Sequence, residues 1–201
     1  MTTYISHNIG PDTVSTLLSS GARAAVLRVF MLDPRRAYYQ RQLEAATGMA
    51  IRGVQRELDR LVSVELLYRR MEGNRAYYRV DMQFPLFPEL RGIILKTADA
   101  VDRLRGELAM CEGVLLAFYG EAAGGVFVVT TGGDAVDVPL PEGIEMTVVG
   151  REAFLKMLVE DRGALEAYLA QGEDLLGRRD DVIWRRIEQA GFVVKKREGV
   201  A

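Results

Sequence analysis

Three arginines in the stretch GMAIRGVQRELDRL, residues 48–61, have a type and spacing that predict binding of an anion. Arg52, Arg56 and Arg60 are spaced so that a helix stacks them on one face, where like charges repel by roughly a few tenths of a kcal/mol per pair. The opposite face is apolar and carries Ile51, Val54, Leu58 and Leu61. We therefore expect an amphipathic helix that presents guanidinium groups, which suit phosphates and guanine edges.

The other residue types predict neither a catalytic site nor a metal site. The chain has one histidine, His7, and one cysteine, Cys111. These two residues can build neither an internal disulfide nor a Cys/His metal site within one chain. A nucleophile paired with histidine also has little support, because His7 lies close to the N-terminus. We expect no cofactor and no enzymatic activity.

Charge is divided unevenly along the chain, although the net charge is only −2. Residues 1–97 contain 14 Lys and Arg against 9 Asp and Glu, a net +5, whereas residues 98–201 contain 12 against 19, a net −7. This asymmetry predicts two units with different partners, the first of them a polyanion. No apolar run approaches the roughly 20 residues that span a bilayer, and the N-terminus lacks a signal-peptide pattern. We expect a cytoplasmic protein that does not enter membranes.

The elements that must position the arginines follow from periodicity and turn signals. Residues 12–32 have helical apolar spacing that is interrupted near Ser20, a residue suited to cap a second helix. QRQLEAATG reads as a short helix closed by Gly48, and the arginine helix follows it. LLYRRMEGNRAYYRV, residues 66–80, has two β-prone runs around a turn and predicts a β-hairpin. Helical spacing then continues over about 88–110, long enough to pack on the next domain or on a second copy.

The second half has the pattern of a small α/β domain. GVLLAFYG, GGVFVVTT and IEMTVVG are apolar runs bounded by glycine, as expected of buried strands. REAFLKMLVED, GALEAYLAQG and DVIWRRIEQAG are typical of helices. We predict an α+β chain whose first domain covers residues 1–86, whose linker or dimerisation helix covers 87–111, and whose α/β domain covers 112–201.

Residues 17–97 resemble the winged helix-turn-helix regulators of the ArsR/MarR-like superfamily. The resemblance is carried by YYQRQLEAATGMAIRGVQRELDRL, LLYRRMEGNRAYYRV and FPLFPELRGIILKT, in which three helices precede a hairpin and the third is basic outside. It implies that the third helix enters the major groove and that the hairpin wing lies over the neighbouring backbone or minor groove. The implied function is a sequence-specific transcriptional regulator that binds palindromic double-stranded DNA. The implied homodimer would use residues 13–32 and the helix over 88–110.

The resemblance carries over to ten residues of the predicted DNA-binding surface. They are Arg41, Arg52, Gly53, Gln55, Arg56, Arg60, Arg69, Arg70, Asn74 and Arg75. Four of them, Arg52, Gly53, Gln55 and Arg56, are the candidates for base contact, because they lie near the start of the third helix. Gly53 has no side chain to keep the backbone away from the groove.

The remaining assignments stay open. Arg41 and Arg60 are either phosphate contacts or solvated side chains. Strand alternation points Arg69 and Arg70 to opposite faces of the wing, so at least one of them need not touch DNA. The adjacent tyrosines of the second wing strand either stack on a single strand or pack beneath the wing, and packing is the expected role.

The second half resembles the minimal, antitoxin-like nucleotidyltransferase domains, and the likeness rests on LLAFYGEAAGGVFVVTT. That family has a Gly-Ser turn that cradles phosphate and an Asp-x-Asp pair that holds Mg²⁺. Here Gly120 stands at the glycine position, Glu121 replaces the serine, and no Asp-x-Asp falls at its place. Asp134 and Asp137 read as loop acids, and Glu145 could match a third carboxylate. We expect this fold without its chemistry; the alternatives are an active nucleotidyltransferase tethered to DNA and a module that binds an effector or a partner protein.

Overall fold

The computed structural model describes residues 10–132, 135–179 and 182–200. The chain divides between residues 99 and 100 into two compact units, here called the N-unit and the C-unit. Each unit combines helices with a small sheet, so the predicted α+β class is confirmed. Among the described helices, none is both long and apolar enough to cross a membrane. His7 and Asp134 lie outside the described residues.

The N-unit contains five helices and three strands within its described residues. They are α1 Pro11–Leu17, α2 Gly21–Leu32, β1 Tyr38–Tyr39, α3 Gln40–Thr47, α4 Ile51–Ser63, β2 Leu67–Glu72, β3 Arg75–Val80 and α5 Phe87–Thr97. The predicted cap of the second helix is confirmed, because Ser20 Oγ accepts a hydrogen bond from the Arg23 amide at 3.1 Å. Gly48 ends α3 with φ +63°, a left-handed conformation that favours glycine.

The predicted hairpin is also present, and it belongs to a three-stranded antiparallel sheet in the order β1-β3-β2. Glu72 pairs with Arg75, so only two residues form the turn, and the first of them, Gly73, has φ +57°. Helix α2 packs against α3, α4 and α5 and forms the centre of the core. On the inner face of α4, Val54 and Leu58 are fully buried. The apolar stripe of the arginine helix is therefore the face that anchors it.

The C-unit contains four helices and five strands within its described residues. They are α6 Ala100–Met110, β4 Val114–Gly120, β5 Gly125–Thr130, β6 Glu145–Gly150, α7 Arg151–Glu160, α8 Arg162–Leu169, β7 Glu173–Asp174, α9 Val182–Gln189 and β8 Lys195–Lys196. The strand order is β6-β5-β4-β7-β8. β4 runs antiparallel to β5 and β7, whereas β6 is parallel to β5 and β8 is parallel to β7.

Both faces of the C-unit sheet are covered. Alternate residues of β4 and β5, such as Phe118 and Phe127, belong to one core cluster with side chains of α7, α8 and α9. Their neighbours, such as Ala117 and Val128, belong to a second cluster with side chains of α6. Burial on both faces explains why these strands read as continuous apolar runs rather than as alternating ones.

The single helix expected over residues 88–110 is wrong, because the structure has two helices there. α5 ends at Thr97 and α6 begins at Ala100. Ala98 has an extended backbone, with φ −77° and ψ 151°, and the Thr97 hydroxyl donates to the Ile93 and Ile94 carbonyls. Ala98 is itself buried, so helical apolar spacing continues across a backbone that is not helical. The break falls at the division between the two units.

Candidate nucleic-acid interface

The outer face of α4 carries the predicted stack of arginines. Its exposed side chains line a shallow depression and are Arg52, Gln55, Arg56, Asp59, Arg60 and Ser63. Within the part of the chain that the structure describes, Arg52 forms no ion pair. Asp59 was not among the predicted site residues, although it lies on this face. Its carboxylate would repel a phosphate placed directly over it, so the face is not uniformly attractive to polyanions.

Beneath the stack lies a buried carboxylate that the sequence reasoning missed. The side chain of Glu57 is 1% exposed; its Oε1 accepts from Arg60 Nη1 at 2.7 Å, and its Oε2 accepts from Arg23 Nε at 3.0 Å. Arg56 Nε lies 4.0 Å from the same Oε1. Repulsion within the arginine stack is thus partly relieved inside the protein, without any external phosphate. A signal was available, since Glu57 is three residues after Val54 and sits in the apolar stripe, where a charge requires a partner.

Arg23 serves the interior rather than the outer face. Its Nε donates to Glu57, and its Nη1 donates to the Leu18 carbonyl at 3.3 Å. Arg60 differs, because its side chain is 55% exposed while it bonds to Glu57. A guanidinium has five N–H donors, so Arg60 keeps donors that can face a ligand.

Gly53 is not required by the packing of the N-unit. A Cβ built at this position meets no atom within 4 Å, apart from the backbone of its own helix. Glycine inside a helix costs about 0.5–1 kcal/mol relative to alanine. Internal packing therefore gives no reason for the glycine, which lies on the arginine helix between Arg52 and Val54.

The start of α3 is joined to α4 by side chains. Gln40 Nε2 donates to Gln55 Oε1 at 3.1 Å. This bond uses one acceptor of Gln55 and leaves its amide N–H groups for another partner. Arg41 is exposed next to Gln40 and forms no ion pair with any residue in the described ranges.

In the hairpin, Arg69, Arg70, Asn74 and Arg75 are all exposed. Arg70 Nη2 lies 3.2 Å from Glu72 Oε1, so part of its charge is already compensated. The guanidinium of Arg75 lies 5.2 Å from the centre of the Tyr39 ring, which adjoins the start of α3. A cation over an aromatic face is attracted to it, so Arg75 is held near α3 rather than extending freely from the turn.

The two adjacent tyrosines of the second hairpin strand pack within the N-unit, as expected. Tyr78 is buried, and Tyr77 is half-buried and meets the Tyr39 ring edge-on at 5.9 Å. Burial raises the pKa of Tyr78, because desolvation disfavours phenolate; Arg69 lowers this pKa and Asp59 raises it. Charged residues of the hairpin and of α4 therefore act on the pKa of this phenol in opposite directions.

Two of the positions that carry the nucleotidyltransferase resemblance, Gly120 and strand β5, are used for packing within the C-unit. At the end of β4, a Cβ on Gly120 would stand 2.8 Å from the Ala167 carbonyl oxygen, so contact with α8 by itself demands glycine. All of β5 is buried and apolar up to its last residue, Thr130. Glu121 is exposed in the turn after β4, and Glu145 is exposed at the start of β6. Within the described ranges, no three His, Cys, Asp or Glu side chains are grouped so as to hold a metal ion.

The buried carboxylate of Asp174 is satisfied within the C-unit. Asp174 accepts from the amides of Leu176 and Gly177 at 3.1 and 2.8 Å and from Arg179 Nε at 3.0 Å. The Arg179 guanidinium also stacks 4.3 Å from the centre of the Trp184 ring. This cluster ties β7 to α9 and directs its charges inward.

In comparisons with known proteins, the chain matches no family model, no curated protein and no solved structure.

Proposed function

We propose that the N-unit binds double-stranded DNA sequence-specifically and that the protein is a cytoplasmic transcriptional regulator. The observation that carries this proposal is the outer face of α4. Exposed arginines flank a glycine there that the protein's own packing does not need. A glycine that costs helix stability is explained if the backbone of α4 approaches a ligand closely, as a recognition helix does in the major groove.

The order of elements supports the same proposal. α2, α3 and α4 are followed by a hairpin that pairs with β1, which matches the order of a winged helix-turn-helix. We assign base contact to Arg52 and Arg56, because both lie in the first two turns of α4. Gln55 reads a base through the amide that its bond to Gln40 leaves available. Arg41, Arg60 and the wing residues contact phosphates and fix the register on the duplex.

A homodimer on a palindromic site is the proposed assembly. One such unit reads only a few base pairs, and two related by a twofold axis read half-sites about one helical turn apart. Within the residues that the structure describes, large apolar side chains are exposed on α1 and at α5, namely Leu17, Leu86 and Ile93, and the two helices pack against each other. The apolar side chains of α2 are buried inside the unit. We therefore place the dimer contact on α1 and α5.

For the C-unit we propose a role in binding an effector or a partner protein, without nucleotidyl transfer. Two features support this role: β5 is apolar where the transferase family has its metal-binding pair, and Glu121 puts a carboxylate where phosphate would lie. The net −7 of residues 98–201 also disfavours DNA. Incubation with each labelled nucleoside triphosphate and Mg²⁺ should transfer no label to the protein or to a lysate. Transfer to either would overturn this assignment.

Selection of bound sites from random duplex tests the main proposal. The full-length protein should enrich a palindromic sequence, and light scattering should give twice the 22.4 kDa mass of one chain. The double variant Arg52→Ala/Arg56→Ala should lose the enrichment. Arg185→Ala, which removes an exposed arginine from α9 of the C-unit, should retain it. If wild-type protein enriches no sequence and binds no duplex at low salt, the proposal is wrong.

A further inference from the structure

We infer that Glu57 is a positioning residue that gives the interface its preference for one DNA sequence over random DNA, acting through Arg60. This inference rests on the proposed function. Glu57 does not touch the outer surface, since its side chain is 1% exposed. It can affect DNA only through the arginines that it holds.

The two oxygens of Glu57 have separate partners. Oε2 binds Arg23 of α2, whose remaining contact is to the Leu18 carbonyl, so this half of the carboxylate fastens α4 to α2. Oε1 binds Arg60 at 2.7 Å and lies 4.0 Å from Arg56 Nε. Oε2 therefore serves the packing of the N-unit. Oε1 instead acts on two surface side chains, Arg56, which is 65% exposed, and Arg60, which is 55% exposed.

Holding Arg60 has a consequence for selectivity. A solvated arginine on a long, flexible stem can follow phosphates in many registers and so contributes equally to every duplex. A guanidinium tied on one side to a buried carboxylate presents its remaining donors in one direction. It then contacts phosphate well only where α4 lies in the register that base contacts also favour.

The charge of Glu57 affects the affinity for any duplex. Arg52, Arg56 and Arg60 would present three positive charges to any polyanion, and the carboxylate beneath them, which is shared with Arg23, offsets part of this charge. Binding to random duplex comes almost entirely from such charges. Glu57 therefore weakens binding to random duplex and to the preferred site by similar factors, so its effect on the ratio of the two affinities comes through Arg60.

The test is Glu57→Gln in full-length protein, measured on a selected site and on random duplex at several salt concentrations. Glutamine preserves the shape of the side chain, but its single oxygen accepts a hydrogen bond from only one of the two arginines. We expect affinity for random duplex to rise about two- to threefold, the effect in water of one charge roughly 7 Å from a phosphate. The slope of log affinity against log salt should steepen by up to about 0.9 per subunit. The ratio of specific to random affinity should fall about twofold or more, because the specific complex gains the same charge but loses the positioned phosphate contact of Arg60.

A double-mutant comparison separates positioning from a purely structural role. If Glu57 acts through Arg60, Glu57→Gln should lower the affinity ratio in the wild-type background and leave it unchanged in an Arg60→Ala background. Arg23→Met is the matched control. It removes the bond between Arg23 and Glu57 Oε2 but leaves the bond to Arg60, so it should preserve the ratio of specific to random affinity. A purely structural role would scale both affinities with the folded fraction and leave the ratio unchanged throughout. Either that result or equal effects in both backgrounds overturns the inference.

Circular dichroism melts establish that each variant is folded at the assay temperature. Should Glu57→Gln fail to fold, Arg60→Lys probes the same contact from the surface. The lysine ammonium retains the positive charge but lacks the planar set of donors by which a guanidinium can bond to Glu57 and to a phosphate together. The ratio of specific to random affinity should therefore fall, while affinity for random duplex is retained. An unchanged ratio overturns the inference. If the wild type itself shows no DNA binding, the proposed function has failed first, which the wild-type titration alone reveals.

Discussion

The N-unit and the C-unit both bury carboxylates against arginines, and they differ in where the arginines lead. In the N-unit, Glu57 holds Arg60, whose side chain is 55% exposed and keeps donors towards solvent. In the C-unit, Arg179 bonds to Asp174 and then to the Val194 carbonyl, and its remaining face covers Trp184. The contrast teaches that a count of arginines does not locate an anion-binding surface. An anion-binding surface is located by the N–H donors that are not already bonded within the fold.

The glycines of the two units differ in the same way. Gly120 of the C-unit faces the Ala167 carbonyl so closely that the fold requires it, whereas Gly53 of the N-unit faces open space. A glycine that the protein needs for itself says nothing about a ligand. Gly53 lowers helix stability and is not required by any contact inside the N-unit, so its role is expected at the outer surface.

The largest effect that separates the units should come from Asp174→Ala. Removing the buried carboxylate should cost roughly 3 kcal/mol of unfolding free energy, since two backbone amides and Arg179 lose their common acceptor. The only tryptophan, Trp184, reports the C-unit, so denaturant unfolding followed by its fluorescence should move to lower denaturant. Binding of duplex DNA by the folded protein should be unaffected. Lost DNA binding at full folding would show that the interface is not confined to the N-unit.

Next in size are the arginines of the interface. Arg52→Ala or Arg56→Ala should cost about 1–3 kcal/mol on a selected site and much less on random duplex, because a base contact is lost. Arg75→Ala should weaken both together and flatten the salt dependence by roughly 0.9 per lost phosphate contact. Titrations on both duplexes at several salt concentrations distinguish the two patterns. If all three variants behave alike, the division into base and phosphate contacts is wrong.

Gly53→Ala should change stability and binding in opposite directions. The new methyl group meets no neighbour, so the N-unit should gain about 0.5–1 kcal/mol of stability. DNA affinity should nevertheless fall, because the methyl group would separate α4 from the groove. Gly163→Ala in α8 of the C-unit is the matched control: its Cβ also meets nothing within 4 Å, and it lies outside the proposed DNA and dimer contacts, so affinity should not change. Unchanged affinity in Gly53→Ala would remove the main support for close approach.

The smallest expected effect is alkaline destabilisation of the N-unit through Tyr78. Burial raises the pKa of this phenol, so the folded state holds the proton more tightly than the unfolded chain. The resulting stabilisation is fully present below the unfolded value of about 10 and is lost as pH rises through the folded pKa. Urea unfolding followed by circular dichroism from about pH 8 to 11 should show this decline. The decline should be shallower in Tyr78→Phe; an equal decline would place its origin elsewhere.

Features that depend on neighbours along the chain were predicted correctly from the sequence. The Ser20 cap, the left-handed Gly48 and the hairpin around Gly73 are each decided within about four residues by hydrogen bonding and backbone sterics. The two faces of α4 followed from helical periodicity, and strands β4 and β5 followed from continuous apolar runs bounded by glycine; both patterns report burial directly.

Contacts between distant residues could be decided only by the tertiary structure. Periodicity across residues 88–110 could not reveal the break at Ala98, because a buried side chain keeps the helical spacing while its backbone is extended. The two-residue strands β1, β7 and β8 exist only because a neighbouring strand supplies their hydrogen bonds. Glu57 and Arg23 are 34 residues apart, so no local rule pairs them. The sequence by itself determined that α4 has an arginine face. Which of these arginines keep donors for a ligand was decided only by the folded chain, because the donors already in use depend on the carboxylate that lies beneath them.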